Sequence, residues 1–339
     1  MASNDIGIDL GTATVIIYDS QDGVLLKEPS VIAVDTKNGN IIAVGSEAQE
    51  MLGRTPDRIR AQMPLVDGVI SDFEATRAMI DRFIRKVYHN GLIKPRVMIC
   101  VPGGITGVEA NAVVSAAINA GARKVFLIEE PVAAAIGAGI DITKPEGNMV
   151  LDIGGGTADI AVLSLSGVVC KSSVRMAGRK FDEAIVKYIR KKYNLLIGER
   201  MAENAKIACG SVCFTPDENC EIVVKGRNLN TGLPGKQVVT REELYESLIV
   251  PIEVIVAEVF RILEITPPEL AADIHRNGII MTGGGAMLHG LDRLLEKRTH
   301  LKVRVADNAA ECVAKGTAAA FNYSEQLAEG FVKSSAYLK

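Results

Sequence analysis

The stretch Met149-Val150-Leu151-Asp152-Ile153-Gly154-Gly155-Gly156-Thr157-Ala158-Asp159-Ile160 decides how this chain is read. It has the pattern of an apolar strand ending in Asp152, then three glycines, a hydroxyl and a second strand. Successive glycines let backbone N–H groups approach a phosphate closely and accept positive φ at little cost. Thr157 adds a hydroxyl donor, and Asp152 is placed to hold a metal-bound water. Gly-rich hairpin turns are common, so the stretch alone reads equally well as a plain turn. Its recurrence changes that. Ile6-Gly7-Ile8-Asp9-Leu10-Gly11-Thr12-Ala13-Thr14-Val15-Ile16 has the same grammar of strand, Asp-x-Gly, Thr and strand. Two such hairpins imply two half-molecules facing one nucleotide, each presenting an Asp and a phosphate turn.

Composition is compatible with this. The chain has 339 residues, 48% hydrophobic and 23% charged, enough for two domains with their own cores. A net charge of −3 gives no reason to expect nucleic acid as a partner. No run approaches the roughly 20 apolar residues of a transmembrane helix. The strand pattern begins by Ile6, which leaves no room for a signal peptide, so a cytoplasmic location is expected. The six cysteines include no Cys-x-x-Cys pair, and Cys209, Cys213 and Cys220 have no His near them, so reduced structural thiols are expected rather than zinc.

Between the hairpins, strand and helix patterns alternate. Residues 30–34 and 41–45 are strand-like, and 46–52 are helix-like until Gly53-Arg54-Thr55-Pro56 breaks them. This region reads as an inserted subdomain. Ser71 or Asp72 is an N-cap for an amphipathic helix running to about Tyr88. In the loop that follows, Leu92 and Ile93 lie between Gly91 and Lys94, with Arg85, Lys86 and Arg96 further out. Two readings stay open: the pair folds back into the core, or an apolar tip with a basic collar meets a membrane surface. The strand 125–128 ends at Glu129-Glu130-Pro131, where α/β folds place chemistry, although a carboxylate there also suits a helix N-terminus.

After the second hairpin come a basic helix from Lys180 to Tyr193, another opening at Glu199, a β-rich insertion over 212–240 and a long helix from Glu242. The strand Ile279 to Met281 runs into Thr282-Gly283-Gly284-Gly285-Ala286, and Val303 to Val305 reads as the last strand. Val97 to Val101 followed by Pro102-Gly103-Gly104 parallels the Ile279 strand and its glycines. The chain therefore reads as a duplicated α/β unit with an insertion in each half.

These residues resemble the actin, Hsp70 and hexokinase superfamily, and within it the MreB/Mbl family of bacterial actin-like cell-shape proteins. The resemblance covers residues 5–321. The two hairpins and Thr282-Gly283-Gly284-Gly285-Ala286 belong to the superfamily. Glu28-Pro29-Ser30-Val31, Gly53-Arg54-Thr55-Pro56, Asp67-Gly68-Val69-Ile70-Ser71-Asp72-Phe73-Glu74, Tyr193-Asn194-Leu195-Leu196-Ile197-Gly198-Glu199-Arg200 and Thr266-Pro267-Pro268-Glu269-Leu270 are closer to the family itself.

The resemblance implies an actin-like ATPase fold: two duplicated RNase H-like α/β domains with a nucleotide cleft between them. Domain I would comprise 1–143 and 317–339, with an insertion near 33–75; domain II would comprise 144–316, with one near 179–245. It implies ATP or ADP with Mg²⁺ as ligand. Gly11, Thr12, Ala13 and Thr14 would hold phosphates from one side, and Gly154, Gly155, Gly156 and Thr157 from the other. Glu203, Asn204, Ala205 and Lys206 would meet ribose and adenine, with Gly283, Gly284, Gly285, Ala286 and Met287 as the adenine shelf. Asp9 and Asp152 would take Mg²⁺ mainly through water. Glu130 would orient the attacking water, with Asp152 and Thr157 completing the catalytic set.

The implied protein is a slow ATPase that polymerises with itself, in paired protofilaments, on the inner face of the cytoplasmic membrane. Leu92 and Ile93 would be the membrane contacts and the cell-wall elongation machinery the partner. Three departures bear on turnover: Thr14 where the family has Asn, Ala158 where it has a second Thr, and Asn204-Ala205 where it has Arg-Ile. A small-molecule kinase of the same superfamily would need an acceptor pocket with its own carboxylate, and nothing beyond Glu130 marks one. A plasmid-segregating actin shares the fold but not the family motifs. A chaperone would need a substrate domain past the ATPase unit, which a chain ending at Lys339 does not leave room for.

Overall fold

The computed structural model describes residues 5–88, 94–102, 105–215, 217–323 and 331–333. Leu92 and Ile93 lie outside the described residues. The chain divides into two compact units. The first holds the chain up to Glu146, Leu163–Val169 and the part from Glu311 onward; the second holds Gly147–Val162 and Cys170–Ala310.

The first unit begins with β1 (Asp5–Leu10), β2 (Thr14–Asp19) and β3 (Gly23–Pro29). An insertion follows, with β4 (Ile32–Asp35), β5 (Ile41–Val44), α1 (Ser46–Met51) and β6 (Ile59–Gln62), then the short pair β7 (Leu65–Val66) and β8 (Val69–Ile70). The main body resumes with α2 (Phe73–Val87), β9 (Arg96–Val101), α3 (Gly107–Asn119), β10 (Lys124–Glu129) and α4 (Glu130–Gly137). Its main sheet runs β19-β10-β9-β1-β2-β3, where β19 is Phe331–Lys333. β1, β9 and β10 are parallel, and β2 returns antiparallel to β1, so the loop after β1 is a tight hairpin turn.

Sequence chemistry sets the helix starts. Asp72 caps α2 by accepting from the Ala75 amide at 3.0 Å. Thr106 and Glu109 form a reciprocal capping box on α3. Five apolar residues of α2, from Ala75 to Ile84, face inward. Four of them, Met79, Ile80, Phe83 and Ile84, join Ile6, Ile8, Ile17, Val97 and Ile99 in the core of this unit.

The second unit repeats the plan. It contains β11 (Asn148–Ile153), β12 (Ala158–Ser164), β13 (Gly167–Val174), α5 (Gly178–Tyr193), β14 (Leu195–Leu196) and α6 (Glu199–Cys209). After these come β15 (Glu221–Asn228), β16 (Pro234–Thr240), α7 (Arg241–Ile265), α8 (Pro268–Asn277), β17 (Ile279–Thr282), a 3₁₀ turn at Gly284–Met287, α9 (Leu291–Thr299) and β18 (Val303–Val305). α10 (Ala309–Ala319) leads back to the first unit. The sheet order β13-β12-β11-β17-β18 matches β3-β2-β1-β9-β10 strand for strand. Each unit also carries an inserted three-stranded sheet, β5-β4-β6 in the first and β14-β15-β16 in the second.

The structure corrects two expectations and qualifies a third reading. The strand Val303–Val305 is not the last, because β19 pairs with β10 at the sheet edge. The reading of six reduced thiols fails for one pair: Cys209 and Cys220 are joined as a disulfide, their Cα atoms 5.6 Å apart. The basic collar is largely neutralised. Arg85 pairs with Asp81 at 2.9 Å, Lys86 with Glu28 and Arg96 with Asp5.

Candidate functional site

Each unit contains one of the two glycine-bearing turns that the sequence marks as a candidate phosphate site, and the two are built differently. In the first unit the turn Gly11–Ala13 is braced by side chains. Ser30 Oγ donates to the Gly11 carbonyl at 2.6 Å, and the Ser30 amide donates to the Ala13 carbonyl at 2.9 Å. Thr12 is buried, and its hydroxyl accepts from the Gly68 amide at 3.0 Å. Asp9 is half-buried one residue before the end of β1. Ala13 is exposed and Thr14 half-buried. Glu130 stands at the first position of α4, directly after β10, and is buried with 9% exposure. The β-strand end and the helix start together hold this carboxylate at the C-terminal edge of the sheet.

In the second unit the turn is braced by backbone. The Gly154 amide donates to the Thr157 carbonyl at 2.9 Å. The first two amides of α5 then reach the turn: Gly178 N to Gly154 O at 3.1 Å and Arg179 N to Gly155 O at 2.9 Å. Asp152 lies on β11 opposite Thr282 of the parallel strand β17. Thr282 Oγ1 donates to Asp152 Oδ1 at 2.5 Å. Burial pushes the Asp152 carboxyl up to about 7, with the nearby Asp159 adding to the rise and the Thr282 bond opposing it.

Lys206 of α6 connects two parts of this half-site. Its ammonium donates to the Gly178 carbonyl at 3.0 Å and pairs with Asp182 Oδ1 at 2.8 Å. Burial nevertheless raises Asp182 to about 6, because the Lys206 charge only partly offsets desolvation and the Glu203 and Glu199 charges. The loop after β17 completes the set. Gly283 has φ 82°, and a Cβ there would meet the Ile153 carbonyl oxygen at 2.4 Å, so only glycine fits. Ala286 is buried and Met287 is 66% exposed.

Sequence comparison gives this geometry a context. The family profile described as MreB/Mbl protein matches residues 3–329. The chain is 50% identical to the cell shape-determining protein Mbl of Bacillus subtilis over 328 residues, 96% of this chain and 98% of that one. It is 49% identical to the cell shape-determining protein MreB of Escherichia coli K12, covering 93% of this chain and 92% of that one. The chain belongs to the MreB/Mbl family. MreB 5 of Spiroplasma citri bound to AMPPNP superposes with a TM-score of 0.89 at 38% identity, over 96% of this chain and 98% of that one. The same protein bound to ADP gives the same score over 94% and 95%. A MamK double helical filament aligns at TM-score 0.78 and 21% identity over 94% of this chain and 98% of that one, which speaks to fold alone. The fold is actin-like.

Within the family frame, the structure gathers Asp152, Gly154–Thr157, Lys206 and Gly283–Met287 in the second unit and Asp9, Gly11–Thr14 and Glu130 in the first. Glu203 is half-buried on the same helix as Lys206, and Asn204 is exposed. Ala205 is fully buried and packs in the core of the unit. Ala158 is likewise fully buried in that core. Sequence reading passed over Ser30, Gly178, Asp182 and Thr282 as site residues. Thr282 had a usable signal, since it precedes the triple glycine at the end of an apolar strand. The other three act through folding back across the sequence, which no local pattern reports.

Proposed function

We propose that this chain is an ATP-binding, actin-like cytoskeletal protein that polymerises with itself, in paired protofilaments, on the inner face of the cell membrane. In this reading it hydrolyses ATP slowly and helps organise cell-wall synthesis. The observation that carries it is the duplicated half-site: the same strand order twice, each time with an Asp at a strand end and a phosphate-sized turn after it. The AMPPNP- and ADP-bound MreB 5 relatives support an adenine nucleotide as the ligand.

The residues present suit a phosphate. The first turn of α5 holds Arg179 and Lys180 and no acidic residue, so the positive end of the helix dipole backs onto Gly154 and Gly155. Among the described residues, Arg179 Nη1 is buried without a hydrogen-bond partner, a donor that an anionic oxygen would satisfy. In this reading the turns Gly11–Thr14 and Gly154–Thr157 hold the phosphates. Glu203 and Lys206 sit by the ribose and Gly283–Met287 by the base, while Ala205 supports α6 from the core.

Mg²⁺ fits the donor set as well. Among the described residues no three His, Cys, Asp or Glu side chains cluster as a metal cage. Single carboxylates such as Asp9 and Asp152, acting largely through water, match an ion that keeps its hydration and takes phosphate oxygens. Asp152 would face it as a carboxylate, and Thr282 fixes that carboxylate's orientation. When bound, the ion neutralises charge building on the phosphate oxygens. Glu130, held rigid at the start of α4, is then the group that orients the attacking water.

Membrane attachment rests on the sequence of the loop carrying Leu92 and Ile93. Among the described residues no helix is long and apolar enough to cross a membrane. The test is sedimentation and electron microscopy of the protein with ATP, with ADP and without nucleotide, followed by flotation with anionic vesicles. ATP-dependent filaments that float are the expected result. Leu92→Ser with Ile93→Ser should leave filaments intact and release them from vesicles. Filaments that form equally without nucleotide would overturn the coupling. With Arg85, Lys86 and Arg96 already paired, flotation should fall only weakly with added salt.

A further inference from the structure

Cys209 is the last residue of α6, and Cys220 immediately precedes β15. Their Cα separation of 5.6 Å sits within the disulfide range of roughly 4.4–6.8 Å, and the structure joins them. The two sulfurs differ in access. Cys209 is 1% exposed in the core, whereas Cys220 is only half-buried. Cys213, between them in sequence, is free.

The location matters more than the bond. Cys209 lies one helical turn beyond Lys206, on the same face of α6. The capping amide of Gly210 donates to the Lys206 carbonyl at 2.9 Å. Lys206 in turn holds the Gly178 carbonyl, whose own amide is bonded to Gly154 of the triple-glycine turn. Immediately after Gly210, Ser211 Oγ meets His289 Nδ1 at 2.9 Å and the Val212 amide donates to the His289 carbonyl at 3.0 Å. Those contacts fix the segment to the end of the Gly283–Met287 loop. The end of α6 therefore touches both walls of this half-site, and the bond to Cys220 anchors that end to the inserted β-sheet.

We propose that Cys209 and Cys220 form a reversible oxidation site that tightens nucleotide binding when closed. The oxidation site stands on its own geometry; the coupling rests on the nucleotide reading above. The co-reactant is a small disulfide of the glutathione class. The accessible Cys220 thiolate attacks one of its sulfurs, the small S–S bond breaks, and one small thiol leaves. Cys209 then gives its proton to water and attacks the Cys220 sulfur, releasing the second small thiol. The two cysteines lose two electrons and two protons, and the small disulfide becomes two thiols. In a reducing compartment such pairs are transient and responsive rather than purely structural. Closing the ring adds a covalent tie from the last turn of α6 to the start of β15 and so further restrains Lys206.

The test poises the full chain in mixtures of oxidised and reduced glutathione, blocks free thiols, and maps peptides by mass spectrometry without reduction. Binding of a fluorescent ATP analogue is measured in parallel. A Cys209–Cys220 cross-linked peptide is expected, together with affinity about fivefold or more tighter in the oxidised protein and reversed by dithiothreitol. Cys220→Ser should bind like the reduced protein in every mixture, and Cys213→Ser should respond as wild type does. Absence of the cross-link, or a cross-link through Cys213, overturns the oxidation site. A cross-link with equal affinity in both states overturns the coupling. Loss of binding in both states rejects the nucleotide reading, while the cross-link still decides the oxidation site.

Discussion

The two phosphate hairpins share a strand order but not an electrostatic environment. Around Gly11–Ala13 the braces are side chains and a loop amide, supplied by Ser30 and Gly68, and Asp9 keeps partial contact with solvent. Around Gly154–Thr157 the braces are the amides of a helix start, and Asp152 is sealed in with one hydroxyl donor. Duplication copied the backbone plan; burial then set the two carboxylates in different environments. The first turn is held by contacts from elsewhere in its unit. The second is held by backbone amides, and its Asp ionises reluctantly.

The largest consequence falls on Asp152. Asp152→Ala should weaken Mg-nucleotide binding by about 100-fold or more and abolish ATP-dependent sedimentation, because it removes the buried carboxylate that Thr282 orients at the end of β11. Thr282→Val, which removes only the orienting hydroxyl, should lower affinity by about tenfold, the scale of a lost outer-shell partner. Asp9→Ala should fall between them. Equal losses at Asp9 and Asp152 would mean that burial does not distinguish the hairpins.

Next comes Glu130. Its place is fixed by β10 and α4 rather than by either hairpin, so Glu130→Ala should bind ATP normally but release phosphate about 100-fold more slowly. Single-turnover phosphate release measures this directly. Unchanged release would remove Glu130 from the water-positioning role.

Acidity separates the hairpins by a smaller, graded effect. Asp152 titrates at about 7 in the folded protein, against about 3.9 unfolded. Between those values the folded state holds a proton that the unfolded state has released. The contribution of this one group to stability without ligand is therefore greatest below about pH 4, falls as pH rises to about 7, and levels off above it, while carboxylates held low by their partners, such as Glu28 and Glu243, act in the opposite direction at acid pH. Asp182, raised to about 6, adds to the slope over the lower part of that window. Mg-nucleotide binding runs the opposite way, since it favours ionised Asp152: affinity should rise up to tenfold per pH unit until about 7. Titrations across pH 5 to 8 should show that rise in wild type and a flatter profile in Asp152→Asn.

Much of this was legible in the sequence because it is local. The hairpin grammar, the cap at Asp72 and the 3.6-residue periodicity of α2 are all short-range patterns that the structure keeps. What escaped is long-range. Ser30 bracing Gly11, Lys206 reaching Gly178 and Thr282 bonding Asp152 join residues far apart in sequence. The ion pairs of the basic collar were hidden for the same reason, since Asp5 and Glu28, which pair with Arg96 and Lys86, lie on distant strands. Cys209 and Cys220 were visible, but nothing in their spacing announced that a helix end and a strand start would meet.

The smallest effect is expected at Ala158, the position where the family carries a second threonine. Sequence logic assigned it a missing hydroxyl near the terminal phosphate and hence slower hydrolysis. The structure puts Ala158 at 0% exposure, at the first residue of β12 and inside the core of the second unit. A threonine there suits a strand by propensity but adds a hydroxyl and a methyl to a packed interior. Overpacking and a buried hydroxyl together cost about 1–2 kcal/mol, which for a unit of this size lowers the melting midpoint by roughly 2–8 °C. Phosphate release should stay within about twofold of wild type, because a side chain sealed in the core does not touch the nucleotide. Calorimetry and a phosphate-release assay on Ala158→Thr separate the two accounts. A turnover gain of about tenfold with unchanged stability would show that the hydroxyl reaches the phosphate, and that the second turn is less rigid than its backbone braces make it.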